Sequence, residues 1–409
     1  EQSNIFSLSE NRARTIFETK DGVIWVGTRS GLNKYNPDIN NFSYLGSKSV
    51  PSLSTNYVTT IYTNTDTILY VGTSQGLNIV DLKKNKTRFL LRERPVEIYK
   101  IKHDSRSRIW ASTDVGFYQI INGRSIVKNA AATTITDFIE LDERRLILAA
   151  RKTGLFLFDT ETSALDTIRS DKGYPREIAT LKLRDGQIWV GGNDGLRIYS
   201  LQGHLRKHFQ NNPLDSTSLP INSVRCLFND HRNTIWIGTW GGGLSKFNSQ
   251  DSTFTTINIS DGLQSNVIYG ILEDQLGTLW ISTNVGIAAY DPHRKDMWRF
   301  DVQDGLQGNS FNTGANFQSL YGTMYFGGPE GLTFFNPEKI LSKRNPAQVS
   351  IIQIINGKEV INATDAIEIP WSQNSLTIEF TTIDFKAQGQ YEFQYSLNDE
   401  PWINTANRR

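Results

Sequence analysis

The sequence predicts an all-β protein organised as a β-propeller, and three observations carry that reading. A hydrophobic-aromatic-hydrophobic-small run, followed a few residues later by a glycine, recurs eight times along the 409 residues. Its aromatic position falls at residues 25, 70, 110, 148, 189, 236, 280 and 325, with successive spacings of 38 to 47. All of the intervening sequence is strand-like and punctuated by turn residues. A period near forty filled with short strands is what propeller blades require. Repetition also lets a chain of this length stay together without one oversized core.

The clearest copies are Ile24-Trp25-Val26-Gly27-Thr28 before Gly31-Leu32, Ile188-Trp189-Val190-Gly191-Gly192 before Gly195-Leu196, and Ile235-Trp236-Ile237-Gly238-Thr239 before Gly243-Leu244. The most degraded, Ile147-Leu148-Ala149-Ala150 before Gly154-Leu155, keeps the spacing and loses the aromatic. The sixth repeat displays the whole unit: strands over 223–228, 234–239, 244–247 and 254–257, with a polar turn at 229–233 and a glycine turn at 241–243. Such a meander buries neither face alone, so Trp25, Trp110, Trp189, Trp236 and Trp280 are expected to wedge against neighbouring blades.

The last repeat runs Gly331-Leu332-Thr333-Phe334-Phe335-Asn336-Pro337 and lacks an outer strand, whereas Ile5-Phe6-Ser7-Leu8 has an outer-strand pattern and precedes the first repeat. The sequence therefore predicts a single eight-bladed ring over 1–340, with seven blades as the alternative, closed by the N-terminal strand so that two sheet edges disappear together. It also places Glu1 close to a mature terminus. From 341 to 409 the blade pattern is absent. Strands expected at 349–356, 375–383 and 390–397 read as part of an Ig-like sandwich, because about sixty residues fall short of the roughly one hundred that a sandwich needs.

Composition narrows the function classes. Forty-three Lys and Arg against 42 Asp and Glu leave a net charge of +1, which supplies no general field for nucleic acid. A single cysteine, Cys226, precludes an intramolecular disulfide and reads as a buried inert thiol. No window approaches the roughly 18 apolar residues of a membrane span, and no signal-peptide pattern opens the chain, so membrane attachment is expected only through segments outside it. His204 and His208 sit on an outer strand, where four residues separate side chains by some 13 Å, too far for a shared metal. Gly241-Gly242-Gly243 joins two strands and opens no helix, so it is not a phosphate loop. No catalytic residue, metal or cofactor is assigned.

The repeats resemble the two-component regulator propeller, followed by the start of the domain named for its three tyrosines (Y_Y_Y). The resemblance rests on the turn from Asp274 to Ile281, the string from Asn212-Pro213 through Ser218-Leu219 to Asn222-Ser223-Val224, and Asp261-Gly262-Leu263 before Asn266-Val267. In the tail it rests on Asn374 to Phe380, Tyr391 to Leu397 and Pro401-Trp402-Ile403. It implies a periplasmic, non-catalytic sensor domain of an inner-membrane receptor, relaying through the sandwich to a cytoplasmic histidine kinase or diguanylate cyclase, with a homodimer in the full-length protein. Family relatives that sense carbohydrates often carry two seven-bladed propellers. Eight repeats argue instead for one larger ring, and no ligand identity is transferred. The Asp-x-x-Gly turns also resemble the Asp-box of sialidase-like propellers, which leaves a carbohydrate-active hydrolase or lyase as the alternative, and a protein-interaction scaffold as a third reading.

Loops between second and third strands, together with inter-blade loops, should emerge on one face. The first set offers Arg29, Gln75, Asp114, Lys152, Asn193, Asp194, Trp240 and Asn284, and the strand entrances add Arg14, Tyr57, Arg176 and Asn222. Amides, charges and a few aromatics suit a small polar ligand such as an oligosaccharide or a peptide. Trp240, directly before three glycines, is the expected stacking surface.

Overall fold

The computed structural model describes residues 8–19, 22–35, 42–91, 95–121, 123–127, 133–341, 349–356, 359–361, 376–382, 393–398, 400 and 403–405. The chain divides into two compact units, residues 41–340 and residues 1–40 with 341–409.

Residues 41–340 form seven four-stranded antiparallel sheets. Their innermost strands are Val58–Thr63, Ile98–His103, Ile135–Glu140, Ile178–Arg184, Val224–Asn229, Ile268–Glu273 and Asn316–Gln318. Each of these lies against the next, and Asn316–Gln318 lies against Val58–Thr63, which closes a ring. The propeller is thus confirmed, with the alternative count of seven blades replacing eight.

The closing strand is also corrected. Ser43–Leu45 completes the last blade, pairing Leu45 with Leu332 and Ser43 with Phe334, so the edge assigned to Ile5–Leu8 is occupied. Residues 5–7 lie outside the described residues, and Leu8 belongs to no strand. Phe42-Ser43-Tyr44-Leu45 has the pattern of any outer strand, and its side-chain alternation does not say which inner strands it joins. Burial of Leu45 with Val58, Leu69, Tyr325 and Leu332 settles the matter, since these side chains seal the seam between the first and last blades.

The first repeat stands outside this unit. Ala13–Glu18, Ile24–Thr28 and Gly31–Tyr35 form a three-stranded sheet of their own. Contacts at the second-strand glycines reflect the difference. A Cβ on Gly238 would sit 2.7 Å from Ile268 Cγ2, and one on Gly327 2.5 Å from Val58 Cγ1, so second-strand glycines let the next blade approach closely. A Cβ on Gly27 would meet only Thr15 of its own sheet. Leu32 is accordingly 68% exposed, whereas its counterparts Leu77, Leu155 and Leu196 are at most 1% exposed.

Turn chemistry accounts for the repeat motif. Asp274 Oδ1 accepts from the amides of Leu276 and Thr278, while Oδ2 accepts from Trp280 Nε1 at 3.0 Å. Asp104 does the same for Arg106, Arg108 and Trp110, and Asp230 for Arg232, Thr234 and Trp236. In the degraded repeat Leu148 offers no indole, and Asp142 Oδ2 turns to Arg145 instead. The blade of Trp189 has Leu183 where the aspartate would stand, and Trp189 Nε1 is buried without a partner. At the other end of the second strand, the hydroxyls of Thr73, Thr113, Thr239 and Thr283 donate to the carbonyls of Gly76, Gly116, Gly243 and Gly286, closing the second turn.

In the other unit, Val349–Asn356 pairs with Glu359–Ile361 and Leu376–Thr382, and Phe393–Tyr395 pairs with Ile403–Thr405. Phe380 meets Phe393 edge-on at 5.0 Å between the two sheets.

Candidate functional site

One face of the ring gathers the loops between second and third strands with the entrances to the innermost strands. Backbone bonds interlock the two sets: Asp114 N donates to Glu97 O, Lys152 N to Arg176 O, and Trp240 N to Ser223 O, at 2.9 to 3.1 Å. Six of the innermost strands also carry a β-bulge at their second residue, namely Thr59, Tyr99, Thr136, Ala179, Arg225 and Tyr269. A bulge re-aims a side chain and bends the strand. Here it places Arg225 under Trp240, with the guanidinium 4.6 Å from the ring centroid, while Tyr269 meets that indole edge-on at 5.7 Å. Trp240 remains 45% exposed on its outer side. A second stack has Arg151 over Tyr99 at 5.5 Å, and Tyr99 donates to Glu97 Oε2 at 3.0 Å. Burial, then the Glu97 charge and that hydrogen bond, push the Tyr99 phenol up to about 12.

The residues expected from sequence separate into three groups. Gln75, Lys152, Asn193, Asn284, Tyr57, Arg176 and Trp240 are exposed on the ring face. Asp114, Asp194 and Asn222 sit there too, but their side chains build loops. Asp114 Oδ1 accepts from Glu97 N, Asp194 pairs with Arg197 and accepts from Gln210, and Asn222 Oδ1 accepts from Asn211 N. Arg14 and Arg29 belong to the separate three-stranded sheet and not to the ring.

Below the face, the axis of the ring is a cavity of about 420 Å³ lined by all seven innermost strands. Four cationic side chains line it, Lys100, Lys102, Lys182 and Arg225, against one carboxylate, Asp137. Hydrogen bonds stitch the surrounding strands together. Thr136 Oγ1 donates to Ile178 O at 2.7 Å, Asn312 Nδ2 to Val58 O at 2.7 Å, Asn316 Nδ2 to Ile271 O at 3.2 Å, and Thr59 Oγ1 to Ile98 O.

Three segments of the chain, residues 7–30, 218–241 and 262–285, match the model of the two component regulator propeller family. These three segments are similar to two-component regulator propeller repeats. Segments 218–241 and 262–285 each span an inter-blade loop, an innermost strand and the second strand of a ring blade, whereas segment 7–30 falls on the separate three-stranded sheet.

A protein named histidine kinase P4 from Formosa agariphila is 26% identical over 328 residues, covering 62% of this chain and 24% of its own length. The extracellular domain of a hybrid two-component system from B. thetaiotaomicron superposes with a TM-score of 0.76 at 22% identity, covering all of this chain and 59% of that one. A second extracellular domain from the same organism, of a one-component system, gives 0.61 at 17% identity with the same coverage. At these identities the structural likeness is one of fold. The chain spans about a quarter of the length of the curated relative.

The side chains that line the cavity lie further along the innermost strands than the entrances expected from sequence, Arg225 three residues after Asn222 and Lys182 six after Arg176. Arg225 at a bulge and Lys100, Lys102 and Lys182 line the cavity, while Tyr99 and Tyr269 at other bulges stack against Arg151 and Trp240. The available signal was charge in a strand that should be innermost: Ile98-Tyr99-Lys100-Ile101-Lys102-His103 has lysines at alternate positions, the first of them where other blades hold Thr60, Asp137, Thr180, Cys226 and Gly270.

Proposed function

We propose that this chain is the extracellular ligand-receiving part of a membrane-bound two-component receptor, without catalysis of its own. The observation that carries the reading is how the motif carboxylates are used. Asp104, Asp230 and Asp274 are each committed to two backbone amides and an indole inside a turn, so the Asp-x-x-Gly motif builds blades and supplies no acid-base pair. What the ring offers outward is a stacking platform of Trp240 on Arg225, surrounded by exposed amides and cations. The regulator-propeller repeats and the fold shared with extracellular domains support the sensor role and a periplasmic location. Among the described residues no helix is long and apolar enough to cross a membrane.

In this reading the ligand is a small polar molecule such as an oligosaccharide or peptide. The C-terminal sheets relay its binding within a homodimer, and a cytoplasmic kinase or cyclase gives the output. The test is calorimetry against oligosaccharide and peptide panels, with product analysis of the same mixtures. Binding without turnover is expected, and Trp240→Ala should weaken it by about 1–3 kcal/mol while leaving the melting temperature in place. Accumulating cleavage products would overturn the non-catalytic reading.

A further inference from the structure

The cationic side chains along the ring axis are not needed to build the blades. At the position of Lys100 five other innermost strands hold Thr60, Asp137, Thr180, Cys226 and Gly270, and at that of Lys182 they hold Tyr62, Lys102, Ile139, Phe228 and Leu272. Lys102 is neutralised locally, its Nζ donating to Asp137 Oδ1 and Phe138 O at 2.6 Å each. The second oxygen of Asp137 accepts from Leu181 N at 2.8 Å, which leaves the only carboxylate among the lining residues fully used. Lys100 Nζ spends one donor on Gly314 O at 3.0 Å, and Arg225 Nε is buried with no hydrogen-bond partner.

Lys100, Lys182 and Arg225 therefore line one cavity whose single carboxylate, Asp137, is already bonded to Lys102 and Leu181. Confining like charges away from water is costly, and the cost shows in their titration. Burial pulls the pKa of Lys100, Lys182 and Arg225 downward; Asp137 offsets part of this at both lysines and Glu177 at Arg225, while repulsion from Lys102 adds to it at both lysines. A fold that could place Thr or Leu at these points keeps buried charges that an incoming anion would satisfy more fully.

We propose that the axial cavity of the ring is an oxyanion site, in which a carboxylate, sulfate or phosphate group of a small ligand is held by Lys100, Lys182 and Arg225. The cavity of about 420 Å³ has the size of small-molecule sites in general. Arg225 joins it to the face, because the same guanidinium that would meet the anion stacks under the exposed Trp240. The ligand class that satisfies both is an acidic sugar or similar molecule, its charged group in the cavity and its ring against the indole. This rests on the reading of the ring as a ligand-receiving module and adds the chemistry that it selects.

The test uses the 409-residue chain and four probes, sodium sulfate, inorganic phosphate, glucuronate and neutral glucose, at matched ionic strength. Saturable binding of one anion per chain is expected from calorimetry, with glucose far weaker than glucuronate. Comparing glucuronate with sulfate and phosphate separates a carboxylate site from one for sulfate or phosphate. Lys182→Met should weaken anion binding by about tenfold or more, while Lys182→Arg, which keeps the charge, should retain it. Both variants should melt no lower than the parent. Anion affinity unchanged in Lys182→Met, or no anion binding beyond the ionic-strength control, would overturn the oxyanion site. A neutral oligosaccharide that binds through Trp240 alone would sink this proposal and leave the sensor reading standing. Anion binding that never alters output of the receptor would do the reverse.

Discussion

Replacing Asp274 tests how far the repeat motif is structural. In Asp274→Ala three donors lose their acceptor. The amide of Leu276 is partly exposed and regains water, so it contributes little. The amide of Thr278 and the indole of Trp280 are buried, with Thr278 4% and Trp280 0% exposed. Each orphaned buried donor costs roughly 1–3 kcal/mol, so the variant should lose about 3–5 kcal/mol. Asp274→Asn keeps an oxygen for the two amides and turns an NH2 toward the indole N–H, which confines the loss to roughly 1–3 kcal/mol.

Guanidinium unfolding followed by far-ultraviolet circular dichroism measures these losses. Trp280→Phe should be cheaper in the Asp274→Asn background than in the parent, because the indole bond is then already gone. Trp189 is an internal control: its Nε1 has no partner, so Trp189→Phe removes a ring without breaking a hydrogen bond. It should cost less than Trp280→Phe by about the value of one such bond, roughly 1–2 kcal/mol. Equal costs at Trp189 and Trp280, or independent effects at 274 and 280, would refute the account of the motif.

Ring closure makes a second prediction: Leu45→Ala, at a fully packed seam, should cost about 2–4 kcal/mol in the same assay, whereas Leu8→Ala, 43% exposed, should stay within about 0.5 kcal/mol. Burial raises the Cys226 thiol to about 12, so it should resist a disulfide reagent at about pH 8 in the folded protein and react once denatured; rapid labelling of the native chain would contradict its burial. The lysines of the axis predict a pH slope. Their protonated form is disfavoured in the fold, so the unfolded chain binds those protons more tightly. Stability should then rise as pH climbs from the depressed folded values of Lys100 and Lys182 toward the ordinary lysine value, and stay flat below that window. Melts between about pH 7 and 10 should show that rise, with a shallower slope in Lys182→Met; an identical slope would remove Lys182 from the effect.

Much of the architecture was legible along the chain because it is written in local chemistry. Trp110, Trp236 and Trp280 sit six residues after Asp104, Asp230 and Asp274, and that spacing alone sets a turn with a buried indole. Where a second strand of the ring has a glycine before its last residue it marks a close approach, as Gly72 does toward Ile98 and Gly238 toward Ile268. The loop residues on the ring face were legible for the same reason, since Gln75, Asn193, Trp240 and Asn284 follow directly from where the second turn falls. Asp114, Asp194 and Asn222 looked equally available, and only their partners reveal that they hold loops.

What the sequence by itself determined is the unit: strand alternation, the turns that join strands and the aromatics that fill the gaps between blades are short-range properties, decided within about forty residues. The tertiary structure alone decided how many units close, which strand seals them and which side chains meet at the axis. Those depend on contacts between residues far apart in the chain, such as Leu45 with Leu332, Asn312 with Val58, and Lys100 with Gly314. The first repeat has the same local pattern yet belongs to the other unit: Gly27 meets only Thr15 of its own sheet, whereas Gly72, Gly238 and Gly327 meet Ile98, Ile268 and Val58 of the next blade.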